Sequence, residues 1–91
     1  MRESLRLLRD ELSRINSPDE LSSWKERFEE LLREAVEKKL GVKCRSPVYL
    51  FKTLYHAGFI NREELDALLQ FDELNDPSFF ERLLERLETR L

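Results

Sequence analysis

The three prolines of this 91-residue chain each follow directly on a residue that commonly caps helices. They occupy positions 18, 47 and 77, immediately after Ser17, Ser46 and Asp76. Proline suits the first position of a helix, because its missing N–H would have no partner there and its fixed φ is already helical. The oxygen of the preceding Ser or Asp can accept a hydrogen bond from an early helical N–H. The prolines therefore predict three helix starts.

Apolar residues at steps of three and four indicate two helices in the first half of the chain. The first is predicted at about residues 4–14, and the second at residues 18–40, where Gly41 ends it in the left-handed conformation. The cap at position 17 and Glu20 have the spacing of a capping box. The apolar pattern fits both a continuous second helix and one that breaks near Arg33 into a helix and a short satellite helix.

The second half predicts three further helices. One runs from residue 47 to near Gly58, and the last begins at residue 77. Between them a helix follows the cap of a second box, Asn61 with Glu64. The apolar stripe of that helix is formed by Leu65, Leu68 and Leu69, and an alternative extends it to Phe71.

No window of the chain alternates apolar and polar residues at period two, so we expect no strand. The sequence predicts a single all-α domain over residues 1–91, a compact antiparallel bundle of five to six helices. Trp24 and Phe28 are predicted to lie in its core. Adjacent helical residues point about 100° apart, so only one of Phe79 and Phe80 is expected to be fully buried.

Composition narrows the functional classes. A net charge of −3 argues against general nucleic-acid binding, which usually shows a basic excess. No apolar run approaches the ~18 residues of a membrane span, and none near the N-terminus resembles a signal peptide. The lone Cys44 excludes an internal disulfide. We therefore expect a cytoplasmic protein that does not associate with membranes.

The sequence contains no recognisable catalytic, cofactor or metal site. Cys44 and His56 are the only residues of their types, too few for a zinc site. The only glycines, Gly41 and Gly58, form no phosphate-binding loop. We interpret His56 as a surface or hydrogen-bonded residue. Cys44 is interpreted as an ordinary reduced loop cysteine, although the cations on either side of it would favour its thiolate. The prediction is a non-enzyme without cofactor.

Two groups of charges are the candidate partner-binding residues. The basic patch lies at the end of the second helix and in the loop after it: Lys38, Lys39, Lys43 and Arg45. The acidic patch lies around the end of the fourth helix and the next helix start: Asp66, Asp72, Glu73 and Asp76. Helix dipoles account for part of this distribution. Patches of opposite sign also suit weak head-to-tail self-association or a partner protein of complementary charge.

The order and spacing of these elements resembles a death effector domain of the six-helix death-fold superfamily. Residues 17–25 (SPDELSSWK) are similar to the family's start of helix two, and residues 50–54 (LFKTL) with 58–60 (GFI) to its fourth helix and the turn after it. The pair at 79–80 is similar to the opening of its last helix. Glu26-Arg27 replaces the family's Phe-Leu contact pair. The resemblance implies homotypic binding as an adaptor or signalling module.

A second resemblance is to the small helical partners of minimal nucleotidyltransferases, of the HEPN type, and covers residues 41–60. Those domains continue into an Arg-Asn-x4-His ribonuclease-like motif, whereas this chain has no histidine after Ile60. The resemblance therefore implies only a non-catalytic bundle that binds a nucleotidyltransferase or nucleic acid. Six antiparallel helices around one core, with the first and last helices adjacent, would count against this alternative.

Overall fold

A computed structural model describes residues 2–91, with side chains from residue 3 onwards. Among these residues it contains five α-helices, one 3-10 turn at Phe71–Glu73, and no strand. The all-α helical bundle is confirmed. The helices are α1 (Arg2–Leu12), α2 (Pro18–Leu40), α3 (Pro47–His56), α4 (Arg62–Leu68) and α5 (Pro77–Arg90).

All three proline-marked helix starts are confirmed. The Ser17 hydroxyl accepts a hydrogen bond from the Glu20 N–H at 3.2 Å, and the Ser46 hydroxyl accepts one from the Tyr49 N–H at 3.1 Å. At the third start the Asp76 carboxylate accepts from the Ser78 N–H at 3.1 Å. Each proline follows its cap as the first helical residue, where it leaves no N–H without a partner.

In one of the two predicted capping boxes, the glutamate accepts a hydrogen bond from a different donor than expected. Around Asn61 the box is complete, because the Glu64 carboxylate accepts from the Asn61 N–H at 2.9 Å. At the start of α2, however, Glu20 accepts from the Ser17 hydroxyl at 3.2 Å, so its carboxylate is used by the cap's side chain. The predicted bond from Glu20 to the Ser17 N–H is therefore replaced by a side-chain bond.

Two helix boundaries refine the sequence analysis. α1 ends at Leu12, two residues earlier than expected, because the Arg14 and Ile15 N–H groups bond to carbonyls only three residues back and tighten the chain into a turn. α2 is continuous for 23 residues through Arg33. An ion pair between Arg33 and Glu29, one turn apart, supports the helix where a break was the alternative.

An aromatic cluster lies at the centre of the core. Trp24 stacks on Phe28 with ring centroids 5.2 Å apart, and Phe80 meets both rings edge-on at 5.1 Å. The Trp24 indole N–H donates to the Leu8 carbonyl at 2.8 Å, which ties α2 to α1. Phe80 is fully buried and Phe79 only partly, as their angular separation on the helix requires. α1 packs on α5 and α2, while α3 packs on α4 and α2.

The leucine stripe of α4 is shorter than the sequence analysis expected. Leu65 and Leu68 are buried, but the helix ends at Leu68, and Leu69 is 40% exposed. The Gln70 N–H bonds to the Ala67 carbonyl three residues back, so the chain tightens and turns here. The next residue, Phe71, brings the chain back to the core, with its ring 5.4 Å from that of Phe51.

Candidate partner-binding surface

The basic patch is presented by the end of α2 and by the loop at residues 41–46. Gly41 ends α2 with a φ of +68°, a left-handed conformation that glycine adopts without strain. In the loop, the Cys44 side chain is buried and its N–H donates to the Glu37 carboxylate at 2.8 Å. With Cys44 facing the core, its neighbours Lys43 and Arg45 are exposed.

None of the four cations of the basic patch forms an ion pair with any residue that the structure describes. All four are exposed. Elsewhere five arginines are paired with carboxylates within the chain: Arg9, Arg27, Arg33, Arg62 and Arg86. The charge of the basic patch is therefore available to a partner.

Lys25 holds the turn that presents two residues of the acidic patch. Its side chain is only 6% exposed, and its ammonium donates to the carbonyls of Phe71 at 2.7 Å and Leu74 at 3.1 Å. The same ammonium lies 5.1 Å from the centre of the Phe71 ring, within range of a cation–π contact. Asp72 and Glu73, between these carbonyls, point into solvent and form no ion pair within residues 2–91.

Sequence reasoning missed the role of Lys25, although a signal was present. Lys25 lies four residues after Leu21 and three before Phe28, so it occupies a position on the apolar stripe of α2. A lysine at such a position must either extend its ammonium to solvent or find acceptors inside the protein. Here the acceptors are the carbonyls of the 3-10 turn, 46 to 49 residues away in sequence.

The other two residues of the acidic patch are exposed but engaged locally. Asp66 accepts from the Arg62 guanidinium at 3.1 Å, and this hydrogen bond raises the pKa of Arg62. Asp76 caps α5 and also accepts from the Ser78 hydroxyl at 2.7 Å. That hydrogen bond is the main reason why the pKa of Asp76 is lowered. Asp72 and Glu73 are thus the members of the patch with carboxylates free for a partner.

A shallow groove of about 230 Å³ separates the start of α3 from the 3-10 turn. Its two exposed apolar side chains are Val48, 47% exposed, and Leu69, 40% exposed. Asp72 and Glu73 line its other side. Arg45 lies three residues before Val48 in the chain, so the groove connects the neighbourhood of the basic patch with that of the acidic patch.

The two residues with reactive side chains are placed differently from each other. His56 is exposed at the end of α3, its ring edge-on to Tyr55 with centroids 5.4 Å apart. Cys44 is 2% exposed, and burial, followed by the nearby charge of Glu37, raises the pKa of its thiol. The expectation that the flanking cations favour a thiolate is wrong, because they point away from the buried sulfur.

A metal site and a membrane-spanning helix are two further possibilities for the part of the chain that the structure describes. No three His, Cys, Asp or Glu side chains there are grouped so that they could hold a metal ion. None of the described helices combines the length and the apolar character that crossing a bilayer requires. Comparison of the chain with protein-family models, with curated proteins and with solved structures finds no match.

Proposed function

We propose that this chain is a non-enzymatic protein–protein interaction module, an adaptor or regulator that binds a protein partner through its basic and acidic patches. The observation that carries the proposal is the pattern of ion pairing. The basic patch and the Asp72–Glu73 pair are two exposed clusters of like charge, and neither cluster has an ion-pair partner in residues 2–91. Unmatched, clustered charge is what a complementary partner surface recognises.

The proposed function is based on the resemblance to a death effector domain, and the order of the helices supports that resemblance. α1 packs directly on α5, the first helix on the last, around one core. This adjacency meets one part of the criterion against a HEPN-like bundle, whereas the five α-helices of residues 2–91 do not meet the other part, which is a count of six. The long α2 replaces the separate second and third helices of the six-helix family, so the proposed module has five α-helices and a 3-10 turn.

The proposed binding mechanism is electrostatic recognition of moderate strength. Complementary charge raises the rate of productive encounter and fixes the orientation of the partners. Exposed charges are screened within about 8 Å at physiological ionic strength, so such a complex weakens as salt is added. Binding should therefore be fast and should become steadily weaker with increasing salt.

The direct test compares the parent with Lys38→Glu/Lys39→Glu by sedimentation velocity at low and high ionic strength. The parent is expected to associate with rising concentration at low salt, and the variant to remain monomeric. Arg6→Glu/Arg14→Glu is the matched control, since both arginines are exposed, lie outside the patches and give the same change in net charge. Association that is equal in parent and Lys38→Glu/Lys39→Glu would contradict the proposal. A parent that stays monomeric would remove its homotypic form.

A further inference from the structure

The charges of the second half of the chain are sorted into two consecutive blocks of opposite sign. Residues 38–62, the positive block, contain six Lys and Arg and no Asp or Glu. Residues 63–81, the negative block, contain seven Asp and Glu and no Lys or Arg. The rest of the chain mixes the remaining 16 − 6 = 10 cations with the remaining 19 − 7 = 12 anions. The net charge of −3 therefore conceals a strongly dipolar region.

The fold places the two blocks side by side. The positive block forms the last turn of α2, the loop and α3, and the negative block forms α4, the 3-10 turn and the start of α5. α3 packs on α4. The groove lies on the boundary, with Val48 from the positive block and Leu69, Asp72 and Glu73 from the negative block. The result is a positive and a negative lobe with exposed apolar side chains between them.

Few of these charges are neutralised inside the molecule. Arg62 pairs with Asp66 across the sequence boundary of the blocks, and Glu64 pairs with Arg86 of α5. The other cations of the positive block form no ion pair with the residues that the structure describes: Lys38, Lys39, Lys43, Arg45 and Lys52. All five are exposed.

We propose that a second copy of this chain binds to the two-lobed face and forms a closed dimer about a two-fold axis that runs along the groove. A rotation of 180° about that axis sets the positive lobe of each copy against the negative lobe of the other. At the centre, Val48 of each copy meets Leu69 of the other, which removes both apolar side chains from water. The inference rests on the proposed function and specifies its partner and symmetry.

Other occupants fit the face less well. A polyanion such as nucleic acid, bound to the positive lobe, would lie next to the negative lobe and be repelled by Asp72 and Glu73. A head-to-tail contact would use each lobe in a separate interface and leave the apolar groove uncovered. A two-fold contact satisfies both lobes and the groove in one interface, and symmetric pairing of one surface with itself is the commonest arrangement of homo-oligomers.

A dimer of this kind needs only a small share of the surface of the chain. A standard interface covers roughly 800 Å² on each partner, about one seventh of the 5743 Å² accessible surface of this chain. With two exposed apolar side chains at its centre and charges around them, most of the recognition is electrostatic. We expect a dimer that is populated at high protein concentration and low salt and that dissociates as salt is added.

Sedimentation equilibrium of the full chain at low ionic strength tests the symmetry. The weight-average mass should rise with concentration and level off at twice the 11.0 kDa of the monomer. Growth beyond the dimer would overturn the proposal, since it indicates an open, head-to-tail contact. A parent that remains monomeric at millimolar concentration would overturn it as well.

Paired charge reversals test which lobes meet. Lys43→Glu/Arg45→Glu and Asp72→Lys/Glu73→Lys should each raise the dissociation constant of the dimer at least tenfold. Mixing the two variants should restore a 1:1 dimer, because each lobe then faces a lobe of opposite sign. Arg6→Glu/Arg14→Glu is again the matched control and should dimerise like the parent. A mixture of the two reversed variants that stays monomeric would overturn the proposal.

Leu69→Glu tests the apolar centre, because it places a charge against Val48 of the other copy and leaves that charge without a partner in the interface. The control is Leu7→Glu on α1, which is 61% exposed and lies outside the face. We expect dimerisation to be lost for Leu69→Glu and kept for Leu7→Glu, with circular dichroism verifying that both are folded. Equal dimerisation of the two variants would overturn the proposal.

The failure of the dimer and the failure of the proposed function are distinguishable. A monomeric parent that binds another protein, with that binding lost in both charge-reversed variants, would overturn the dimer and leave the interaction module standing. Charge reversals that change neither self-association nor the binding of any partner would overturn both.

Discussion

The side of the molecule formed by α1, α2 and α5 uses charge differently from the side formed by α3, α4 and the 3-10 turn. On the first side, carboxylates and guanidinium groups alternate and pair across helices: Arg9 lies near Glu85 and Glu88 of α5, and Arg27 of α2 pairs with Glu11 of α1. On the second side, each sign is confined to its own segment of chain. Mixed signs can pair across neighbouring helices of one molecule, whereas signs that are sorted form patches that suit a second molecule.

The two sides differ in aromatic packing, while each leaves some large apolar side chains exposed, such as Leu7 on α1 and Val48 on α3. Trp24, Phe28 and Phe80, all with 0% exposure, join α2 and α5 in an aromatic cluster. The α3–α4 side buries its own leucines but leaves Val48 and Leu69 at the surface. We infer that the first side supplies most of the stability, and that the second can change its surface at little cost to folding.

Trp24→Ala is expected to have the largest effect on stability, because it removes the centre of the aromatic cluster on the α1, α2 and α5 side. Truncation of a fully buried aromatic side chain costs about 3–5 kcal/mol of unfolding free energy. That is a large share of the roughly 5–15 kcal/mol that holds a domain folded. Chemical denaturation measures it, with the exposed Leu7→Ala as the control. A Trp24→Ala variant as stable as the parent would place the core elsewhere.

Lys25→Met tests the link between the two sides. Methionine keeps the apolar length of the side chain but leaves the carbonyls of Phe71 and Leu74 without the ammonium that they accept from. Hydrogen bonds to charged groups contribute about 1.5–3 kcal/mol, so we expect a loss of ~2 kcal/mol. Hydrogen exchange should accelerate at the amides of Glu73 and Leu74, which close the turn.

The control for Lys25→Met is Lys52→Met on α3, an exposed lysine without an ion-pair partner in the described residues. It should change the unfolding free energy by less than about 0.5 kcal/mol. Equal effects of the two substitutions would mean that the bonds from Lys25 to the turn contribute nothing to stability.

Glu64→Gln tests a pH-dependent contact between α4 and α5. Burial of the Glu64 carboxylate is the largest single influence and would raise its pKa. The hydrogen bonds from Arg86 and from the Asn61 N–H, with the charge of Arg86, outweigh it and lower the pKa of Glu64. A carboxylate with a lowered folded-state pKa stabilises the protein above its unfolded-state pKa, near 4.3, and this contribution is lost as pH falls through the folded-state pKa.

At pH 7 the Glu64→Gln variant should therefore be less stable than the parent by about 1 kcal/mol. The difference should shrink once the pH is below about 4. Thermal unfolding from pH 3 to pH 7 measures it. A difference in stability that stays constant over this range would show that the charge of Glu64 is not involved.

The smallest effect on stability is expected on the interaction side. Lys43→Gln/Arg45→Gln should change the unfolding free energy by less than about 0.5 kcal/mol, since both side chains are exposed and lie in a loop. The salt dependence of association should fall in the same variant. A large loss of stability would show that these cations support the fold and would remove the distinction between the two sides.

Local signals were sufficient for the helices, because their causes lie within a few residues. A capping oxygen, a following proline and the spacing of apolar residues determine where α2, α3 and α5 begin, and Gly41 ends α2 by its own backbone freedom. The predictions failed where a contact between residues that are distant in sequence determines the local structure. Leu69 continues the apolar spacing of α4, yet the helix ends before it and the core is reached by Phe71 instead.

For the candidate surface, too, some features follow from the sequence and others only from the tertiary structure. The sequence by itself determined which residues carry charge, and that the two signs lie in separate segments of chain. Only the tertiary structure decided that Lys25 binds the turn, that Cys44 is buried so that its neighbours face outwards, and that a groove joins the two charged regions. The reason is physical: helix starts depend on hydrogen bonds between neighbours in sequence, whereas burial and pairing depend on residues that meet only when the helices pack.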